Sequence, residues 1–211
     1  MHKLIGLMLM TATWLPSRAQ YPGYTLLPEL TGFKEQFSAA VKNINSIESD
    51  FVQEKNLSTL SEKIISKGKF WFKKNNQVRM EYNHPFQYLM VINKDKVFIK
   101  DGQKQNTISV KSNKLFQQIN KITVDCVQGT ALSNTDFMTR IFENKNNYLI
   151  ELSPQSKTLK DFFKTINVVV DKKNYSVNII EMNENSGDNT LIRFTNKELN
   201  INIPDAMFTI N

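Results

Sequence analysis

Residues 68–82 read GKFWFKKNNQVRMEY, and two strand patterns meet in this stretch at a polar turn. The first pattern covers residues 63–73 and the second covers residues 77–82, with Asn75 and Asn76 between them. Short strands joined by short polar turns are typical of an antiparallel meander. The stretch therefore predicts a hairpin inside a larger antiparallel sheet.

Further strand patterns lie on both sides of this hairpin. They cover residues 51–53, 86–92, 96–100, 148–152, 165–171, 176–183, 190–196 and 207–210. Polar breaks separate them, and no internal repeat is visible. We predict one domain, with a helix, about five strands, a helical insert and about five more strands.

The predicted first helix follows an irregular lead-in over residues 21–32. Its apolar residues are spaced by three or four positions, which places them on one stripe. The stripe consists of Phe33, Phe37, Ala40, Val41, Ile44 and Ile47. Leu115, Ile119 and Ile122 repeat this spacing, and residues 136–142 have the pattern of a further helical turn. Residues 113–142 are therefore predicted to form a helical insert.

Several predicted strands carry apolar side chains on both faces, at residues 70–72, 88–92 and 97–99. Both faces of these strands then need cover, because a sheet with one wet face alternates apolar and polar residues. One interpretation is two layers packed on each other, which the pattern alone favours because apolar stripes are usually core. The other is a strongly curved sheet whose concave face keeps space for a lipid, with residues 113–142 as a lid.

The composition limits the class of protein. The chain has 211 residues, one cysteine and a net charge of +7. One cysteine forms neither an internal disulfide nor a cysteine-rich zinc site. Residues 1–19 have the basic start, short apolar stretch and small residues of a secretory signal peptide, with cleavage expected near Ala19. Removing them leaves a net charge of +5, which favours anionic surfaces or partners. Nucleic acid is not an expected partner, since the lysines are scattered and the chain is exported.

Catalytic motifs do not occur in the sequence. After the expected cleavage His84 is the only histidine, and it precedes Pro85 in an apparent turn. We find no nucleophile elbow, phosphate-binding loop or zinc-binding HExxH motif. Glu181, Glu184 and Asp188 cluster around a turn, where a solvated hairpin is a more common arrangement than a cation site or a hydrolase. The sequence therefore favours a binding protein without a catalytic residue, metal or cofactor.

Several short motifs, in this order, resemble those of the periplasmic outer-membrane lipoprotein carriers. Residues 51–53 are similar to that family's F-x-Q, residues 68–74 to its G-x-[LF]-W-x-K-[RK] strand, and residues 78–85 to its f-R-W-x-y-x-x-P segment. Residues 187–194 resemble the g-D-x-T-x-I-x-F hairpin, and residues 203–208 resemble the i-x-D-x-x-F ending. The resemblance to this LolA-like family, which shares its fold with the receptor LolB, runs from about residue 33 to the end.

The resemblance implies an α+β fold of mainly antiparallel strands. Its form is a strongly curved, incomplete β-barrel of about ten to eleven strands, with an N-terminal helix and a helical lid over an apolar cavity. The implied function is that of a periplasmic carrier, not an enzyme, that ferries lipoproteins from the inner to the outer membrane by their acyl chains. The implied partners are these acyl chains or another lipid, an inner-membrane lipoprotein-releasing ABC transporter and, where one exists, an outer-membrane acceptor. We expect a monomer.

The resemblance also suggests individual site residues. We expect the cavity to be lined by Trp71, Met80, Tyr82, Tyr88, Met90, Phe98, Phe116 and Phe142. Lys74 stands where the resembled carriers have an arginine that bonds the lid, so Lys74 is the predicted latch and Arg79 the second choice. A lysine lacks the planar fork of arginine, which implies a looser latch. Met80 replaces a tryptophan, and the chain ends soon after Phe208, without the C-terminal extension of the proteobacterial carriers.

These departures leave two alternatives to a lipoprotein carrier. One is a carrier of another amphiphile on the same scaffold, such as a glycolipid or an aryl-polyene lipid. The other is a non-carrier periplasmic module, either a sensor or a hydrolase that uses only carboxylates.

Overall fold

The fold is built on one antiparallel sheet of twelve strands that curves without closing. The structure, a computed structural model, describes residues 21–29, 31–60, 62–94, 96–101, 104–109, 122, 125–127 and 129–209. The strands are β1 (Thr25–Leu26), β2 (Ser46–Leu57), β3 (Glu62–Lys73), β4 (Gln77–His84), β5 (Tyr88–Asn93), β6 (Lys96–Asp101), β7 (Lys104–Ser109), β8 (Phe137–Glu143), β9 (Asn147–Pro154), β10 (Phe163–Asp171), β11 (Val177–Glu184) and β12 (Asn189–Leu199).

The strand order is β1-β8-β9-β10-β11-β12-β2-β3-β4-β5-β6-β7, so β1 and β7 are the two edges. Eleven strands have six residues or more, and β1 has two. The predicted α+β fold with a curved, incomplete barrel is confirmed. The strands β1 and β7 were not predicted, because their short polar sequences carry little strand pattern.

The central hairpin forms where the sequence predicts it. Strands β3 and β4 pair from Lys73 opposite Gln77. In the turn between them, Asn75 and Asn76 have φ values of 73° and 59°. Asparagine tolerates this left-handed region better than most residues do. The turn chemistry and the strand pattern therefore specify the same hairpin.

The two faces of the sheet are both buried in this region. Pairing places Phe70, Met80 and Met90 in one row across β3, β4 and β5, on the concave face that holds the main core. Trp71 and Val91 belong to the next row, which faces the convex side because successive residues of a strand alternate. The doubly apolar strands are thus explained by one curved sheet with cover on each face.

Helix α1 (Thr31–Lys42) covers one end of the sheet. The ring of Phe33 packs 4.6 Å from that of Tyr148, and Phe37 packs 6.0 Å from Tyr175. At the other end of α1, the Lys74 ammonium donates a hydrogen bond to the Lys42 carbonyl. These partners lie in or beside turns at one end of the sheet. We call this the closed end, formed by α1 and the segments 42–45, 74–76, 94–96, 144–146 and 172–176.

The opposite end of the sheet is the open end, formed by residues 58–62, 84–88, 155–162 and 185–188. The hairpins β2–β3 and β11–β12 meet there. The backbone amide of Ser58 in the first donates a hydrogen bond to the Asp188 carboxylate in the second, at 3.0 Å. A second short helix, α2 (Lys157–Lys160), also lies at this end. The backbone N–H of Asn185 donates a hydrogen bond to the backbone carbonyl of Phe162 at 3.0 Å. This bond joins the end of the α2 segment to the β11–β12 hairpin.

Some predicted helical segments were wrong. Helix α1 ends at Lys42, and Ile47 is instead a buried residue of β2. Residues 136–142 were predicted as a helical turn, but Phe137–Glu143 form β8. A spacing of four residues puts Phe137 and Ile141 on one face of a strand as well as of a helix, so the pattern did not distinguish the two. In the rest of the predicted lid, residues 122 and 125–127 are helical, Thr130–Ser133 form a 3₁₀ turn, and residues 113–121 lie outside the described residues.

The predicted last strand, residues 207–210, is also wrong over its described part. Asp205–Phe208 form a 3₁₀ turn directly after Pro204, whose ring cannot donate to a strand ladder. This turn belongs to the C-terminal segment, residues 200–209, which covers the convex face of β3 to β6. Phe208, 1% exposed, packs there with Trp71 and Phe98 in a second core.

Gly68 allows β3 and β4 to approach more closely than a side chain would permit. A Cβ at Gly68 would lie 2.0 Å from the Glu81 carbonyl oxygen and 2.9 Å from Cε1 of Phe51. We expect Gly68→Ala to lower the free energy of unfolding by about 2 kcal/mol or more, because the ladder must separate to fit the methyl group. Urea denaturation measures this change.

Gly32→Ala is the matched control for that prediction. Nothing lies within 4 Å of a Cβ added at Gly32, and alanine is the better helix former. Its stability should equal or slightly exceed that of the wild type. If Gly68→Ala unfolds with the same free energy as the wild type, the close approach of β3 and β4 is contradicted.

Candidate functional site

A pocket opens at the open end of the concave face. Its volume is about 370 Å³, toward the lower end of the roughly 300–1,000 Å³ that is usual for ligand sites. We call it the open-end pocket. It is lined by Gln53, Ser66, Tyr82, His84, Pro85, Phe86 and Tyr88. Strands β2 to β5 supply these residues, so the pocket is part of the sheet and not of a separate loop.

Aromatic rings form the inner wall of the open-end pocket. The Tyr82 ring lies edge-on to Phe51 at 4.8 Å and to Tyr88 at 5.4 Å. The Tyr82 hydroxyl donates to Oε1 of Gln53 at 2.9 Å, which satisfies its polar group within the wall. Burial raises the pKa of Tyr82 far above its usual value, so this hydroxyl stays neutral. The wall is therefore apolar, with a fixed, uncharged polar edge.

The rim of the pocket exposes large apolar side chains. Phe86 is 75% exposed, Leu60 62% and Ile64 44%. Ile65 and Met138, which are also exposed, lie at the same end of the sheet but on its convex face. Large exposed apolar groups that gather at one place mark a binding surface more often than scattered ones do. The open end therefore combines a pocket with an apolar rim.

The predicted cavity residues divide between the two faces. Tyr82 and Tyr88 line the open-end pocket, and Met80 and Met90 lie in the next rows of the same face, 4% and 8% exposed. Phe116 lies outside the described residues. Apolar side chains thus continue from the pocket into the main core.

Three predicted cavity residues lie on the convex face, so their placement in the cavity was wrong. Trp71 and Phe98 are covered by the C-terminal segment. The Phe142 ring packs 4.9 Å from that of Tyr21 and 5.6 Å from the Arg140 guanidinium. The prediction rested on the apolar character of each residue, and only the register shows which face it occupies.

No described residue of the predicted insert 113–142 accepts a hydrogen bond from Lys74 or Arg79. Lys74 donates to the Lys42 carbonyl at the C terminus of α1. Arg79 lies on the convex face, where its guanidinium binds the Glu81 carboxylate at 2.9 Å and the Met207 carbonyl at 3.1 Å. Lys74 therefore holds the helix of the closed end, whereas Arg79 holds the C-terminal segment.

The acidic cluster predicted at residues 181–188 is divided by the sheet. Lys55 pairs with Glu184 at 2.5 Å and lies 3.8 Å from Asp188, both at the open end. Glu181 faces the convex side, where it accepts from Asn167 and Asn189. Within the described residues, no group of three or more His, Cys, Asp or Glu is placed to hold a metal ion. The solvated-hairpin interpretation thus fits the geometry best.

A buried polar group on the convex face escaped the sequence analysis. Glu151, 1% exposed, accepts from the Tyr21 hydroxyl at 2.5 Å and from Nε of Arg140 at 2.8 Å. Burial and the neighbouring carboxylate raise the pKa of Tyr21 far above its usual value, so the phenol remains a donor. Tyr21 is thereby fixed to the sheet just after the expected cleavage site. A charged residue inside the apolar run 148–152 was the available sequence signal.

Comparison with known families connects this geometry to a group of proteins. The family model described as "Outer membrane lipoprotein carrier protein LolA" matches residues 42–211. The chain belongs to the LolA family. The match begins at the last residue of α1 and covers every strand from β2 to β12, so it includes the residues of the open-end pocket and most of those that cover the convex face.

The chain is similar to several solved structures at low sequence identity. A LolA superfamily protein from Nitrosomonas europaea is 9% identical, with a TM-score of 0.46 over 84% of this chain and 97% of its own. A chain of the Pseudomonas aeruginosa MucA/MucB complex is 11% identical, with a TM-score of 0.51 over 85% of this chain and 60% of that chain. The similarity to the chain of the MucA/MucB complex supports the fold alone. A comparison with curated protein sequences finds no significant match.

The helices of the described residues are short. None of them is long and apolar enough to cross a membrane.

Arg79 provides a test of how the C-terminal segment is held. We expect Arg79→Ala to loosen this segment, because it removes the bond to the Met207 carbonyl and the cation–π contact to Trp71, 5.8 Å from the ring centre. Residue Trp71 is the only tryptophan after the expected cleavage, so its emission should shift to longer wavelength.

Arg193→Ala is the control for this measurement. Arg193 also lies on the convex face, 47% exposed and 4.0 Å from Glu54, away from the C-terminal segment. The Trp71 fluorescence emission of Arg193→Ala should match that of the wild type. Unchanged emission in both variants would mean that the apolar contacts of Phe208 hold the segment without Arg79.

Proposed function

We propose that this chain is a periplasmic carrier that binds the acyl chains of lipoproteins and ferries them from the inner to the outer membrane. Residues 1–19 act as the signal peptide in this proposal, and the carrier is not an enzyme. An inner-membrane lipoprotein-releasing ABC transporter loads it, and an outer-membrane acceptor that binds the lipid more strongly unloads it. The proposal rests on membership of the LolA family.

The observation that carries the proposal is the continuity between the open-end pocket and the concave face. The pocket has an apolar rim at Phe86 and Ile64, and Tyr82 and Tyr88 form its wall. Met80 and Met90 continue the apolar surface inwards, and methionine adapts its shape to a flexible ligand. An acyl chain that enters at the rim meets the rings of Tyr82 and Tyr88 and then the two methionines.

The energetics of acyl chains make such a surface necessary. Each CH₂ group that leaves a bilayer for water costs about 0.8 kcal/mol. A lipoprotein with two or three long chains therefore does not cross an aqueous space unaided on a useful timescale. A carrier must bury a comparable apolar length and still release it, so we propose a closed, self-filled state without cargo and an open state with cargo.

Binding of a lipopeptide tests the proposal. Native mass spectrometry of the signal-cleaved protein, purified from its own periplasm without detergent, should show a bound mass that lipid extraction identifies. The purified protein should also bind a diacyl or triacyl lipopeptide. A bound glycolipid or aryl-polyene lipid would retain the scaffold and replace the proposed cargo. A bare mass that stays unaltered with lipopeptide would refute a carrier.

Ile64 and Ile65 provide a matched pair of variants for this assay. The two isoleucines are adjacent, are 44% and 43% exposed, and lie on opposite faces of β3. We expect Ile64→Asp to weaken lipopeptide binding at least about tenfold, or 1.4 kcal/mol, because the carboxylate lies on the path of the chain. Ile65→Asp, on the convex face, should bind like the wild type. Equal losses in both variants would contradict entry at the open end.

Lys74 tests the proposed opening step. Its ammonium stabilises the C terminus of α1, where a cation contributes about 0.3–1 kcal/mol. We expect Lys74→Leu to speed cargo release to an acceptor by about twofold to fivefold, which is the kinetic equivalent of that energy. A fluorescent lipopeptide reports the release, and Lys69→Leu, on the convex face of β3, is the control. Unchanged release in Lys74→Leu would remove Lys74 as a latch.

A further inference from the structure

The closed end of the sheet carries a concentration of positive charge. Together, α1 and the other segments of this end contain eight lysines in the sequence, namely Lys34, Lys42, Lys74, Lys94, Lys96, Lys145, Lys172 and Lys173. They contain two carboxylates, Glu35 and Asp95, and two more, Glu143 and Asp171, flank them, with Glu143 paired to Lys172 at 2.6 Å. The segments of the open end have no such excess, because they contain two lysines, Lys157 and Lys160, and three carboxylates, Glu62, Asp161 and Asp188. The net charge of the exported chain is therefore distributed unevenly between its two ends.

Hydrogen bonds bring these lysine-bearing segments together. The Lys94 amide donates to the Asn76 carbonyl at 3.0 Å, and the Lys172 amide donates to the Asn146 carbonyl at 3.0 Å. Lys74 reaches the carbonyl of Lys42. The segments thus form one rim around α1, which we call the basic rim. Its residues Lys42, Lys94, Lys96, Lys145 and Lys173 are exposed.

The type of cation indicates the kind of partner. The three arginines of the exported chain, Arg79, Arg140 and Arg193, lie on the convex face beside carboxylates. The basic rim contains lysine alone, and lysine is depleted at protein–protein interfaces, where arginine and aromatic residues are enriched. Flexible, strongly hydrated lysines instead suit the diffuse charge of anionic lipid head groups.

We propose that the basic rim docks on an anionic phospholipid surface. Lysines from several turns at one end of the sheet can approach a flat layer of phosphates together, without a shaped pocket. In this orientation the open-end pocket points away from the docked surface. The inference goes beyond lipid carriage, since it concerns a different end of the molecule and a different ligand.

Vesicle sedimentation tests the proposal. The signal-cleaved protein should sediment with vesicles that contain phosphatidylglycerol and much less with pure phosphatidylcholine vesicles. Salt should release it, because screening shortens the reach of exposed charges. The combined variant Lys94→Gln, Lys96→Gln, Lys145→Gln and Lys173→Gln should bind at least tenfold more weakly.

A second combined variant shows whether vesicle binding depends on where the positive charge lies or only on the net charge of the protein. Lys67→Gln, Lys157→Gln, Lys160→Gln and Lys164→Gln remove four exposed lysines from the open end and its neighbourhood. This variant should keep the binding of the wild type. Equal losses in the two variants, or equal binding to neutral vesicles, would overturn docking by the basic rim. Thermal unfolding confirms that both variants fold.

Lipopeptide binding distinguishes this inference from the proposed function. The closed-end variant should bind lipopeptide like the wild type while it loses vesicle binding. If the wild type binds vesicles and no lipopeptide, the carrier proposal fails and the docking proposal stands. If it binds lipopeptide and no anionic vesicles, the docking proposal fails alone.

Discussion

The burial of both faces of β3 to β6 is the constraint on which the rest of the structure depends. Residues that alternate along these strands are apolar on each side, as Phe70 and Trp71 show. The curved main core and α1 cover the concave side, and the C-terminal segment covers the convex side. A buried Phe side chain contributes roughly 1.5–3 kcal/mol, so Phe208 adds substantially to the stability of the second core. The C-terminal segment, residues 200–209, is thus part of the folded unit.

The curvature of the sheet gives its two ends different properties. At the closed end, α1 fills the space between the turns, and Lys74 completes its hydrogen bonding. At the open end, α2 packs Leu159 into the main core, and strands β4 and β5 end around Tyr82 and Tyr88 with a pocket beside them. The hairpins of this end are joined by Ser58 and Asp188. In the proposed carrier, a flexible apolar ligand enters such a sheet at the open end.

The sequence predicted the elements better than it predicted the faces. The hairpin at 68–82 and the antiparallel strands followed from the spacing of apolar residues and the polar turns, whereas the curved, incomplete barrel was implied by the family resemblance. The strand β8 was mistaken for a helix because Phe137 and Ile141 fit both periods. Trp71 and Phe98 were assigned to the cavity because their apolar character is visible in the sequence and their register is not. The position of the C-terminal segment depends on long-range packing, which no local pattern records.

Cys126 has a consequence for the study of motion in this protein. It is the only thiol of the chain, it is 3% exposed, and burial raises its pKa far above the usual value. A protonated, enclosed thiol reacts slowly with alkylating reagents. A movement that separates residues 122–133 from the main core would bring this sulfur to solvent and speed its alkylation. The rate of alkylation of the unmodified protein is therefore a direct measure of how often that part of the chain opens.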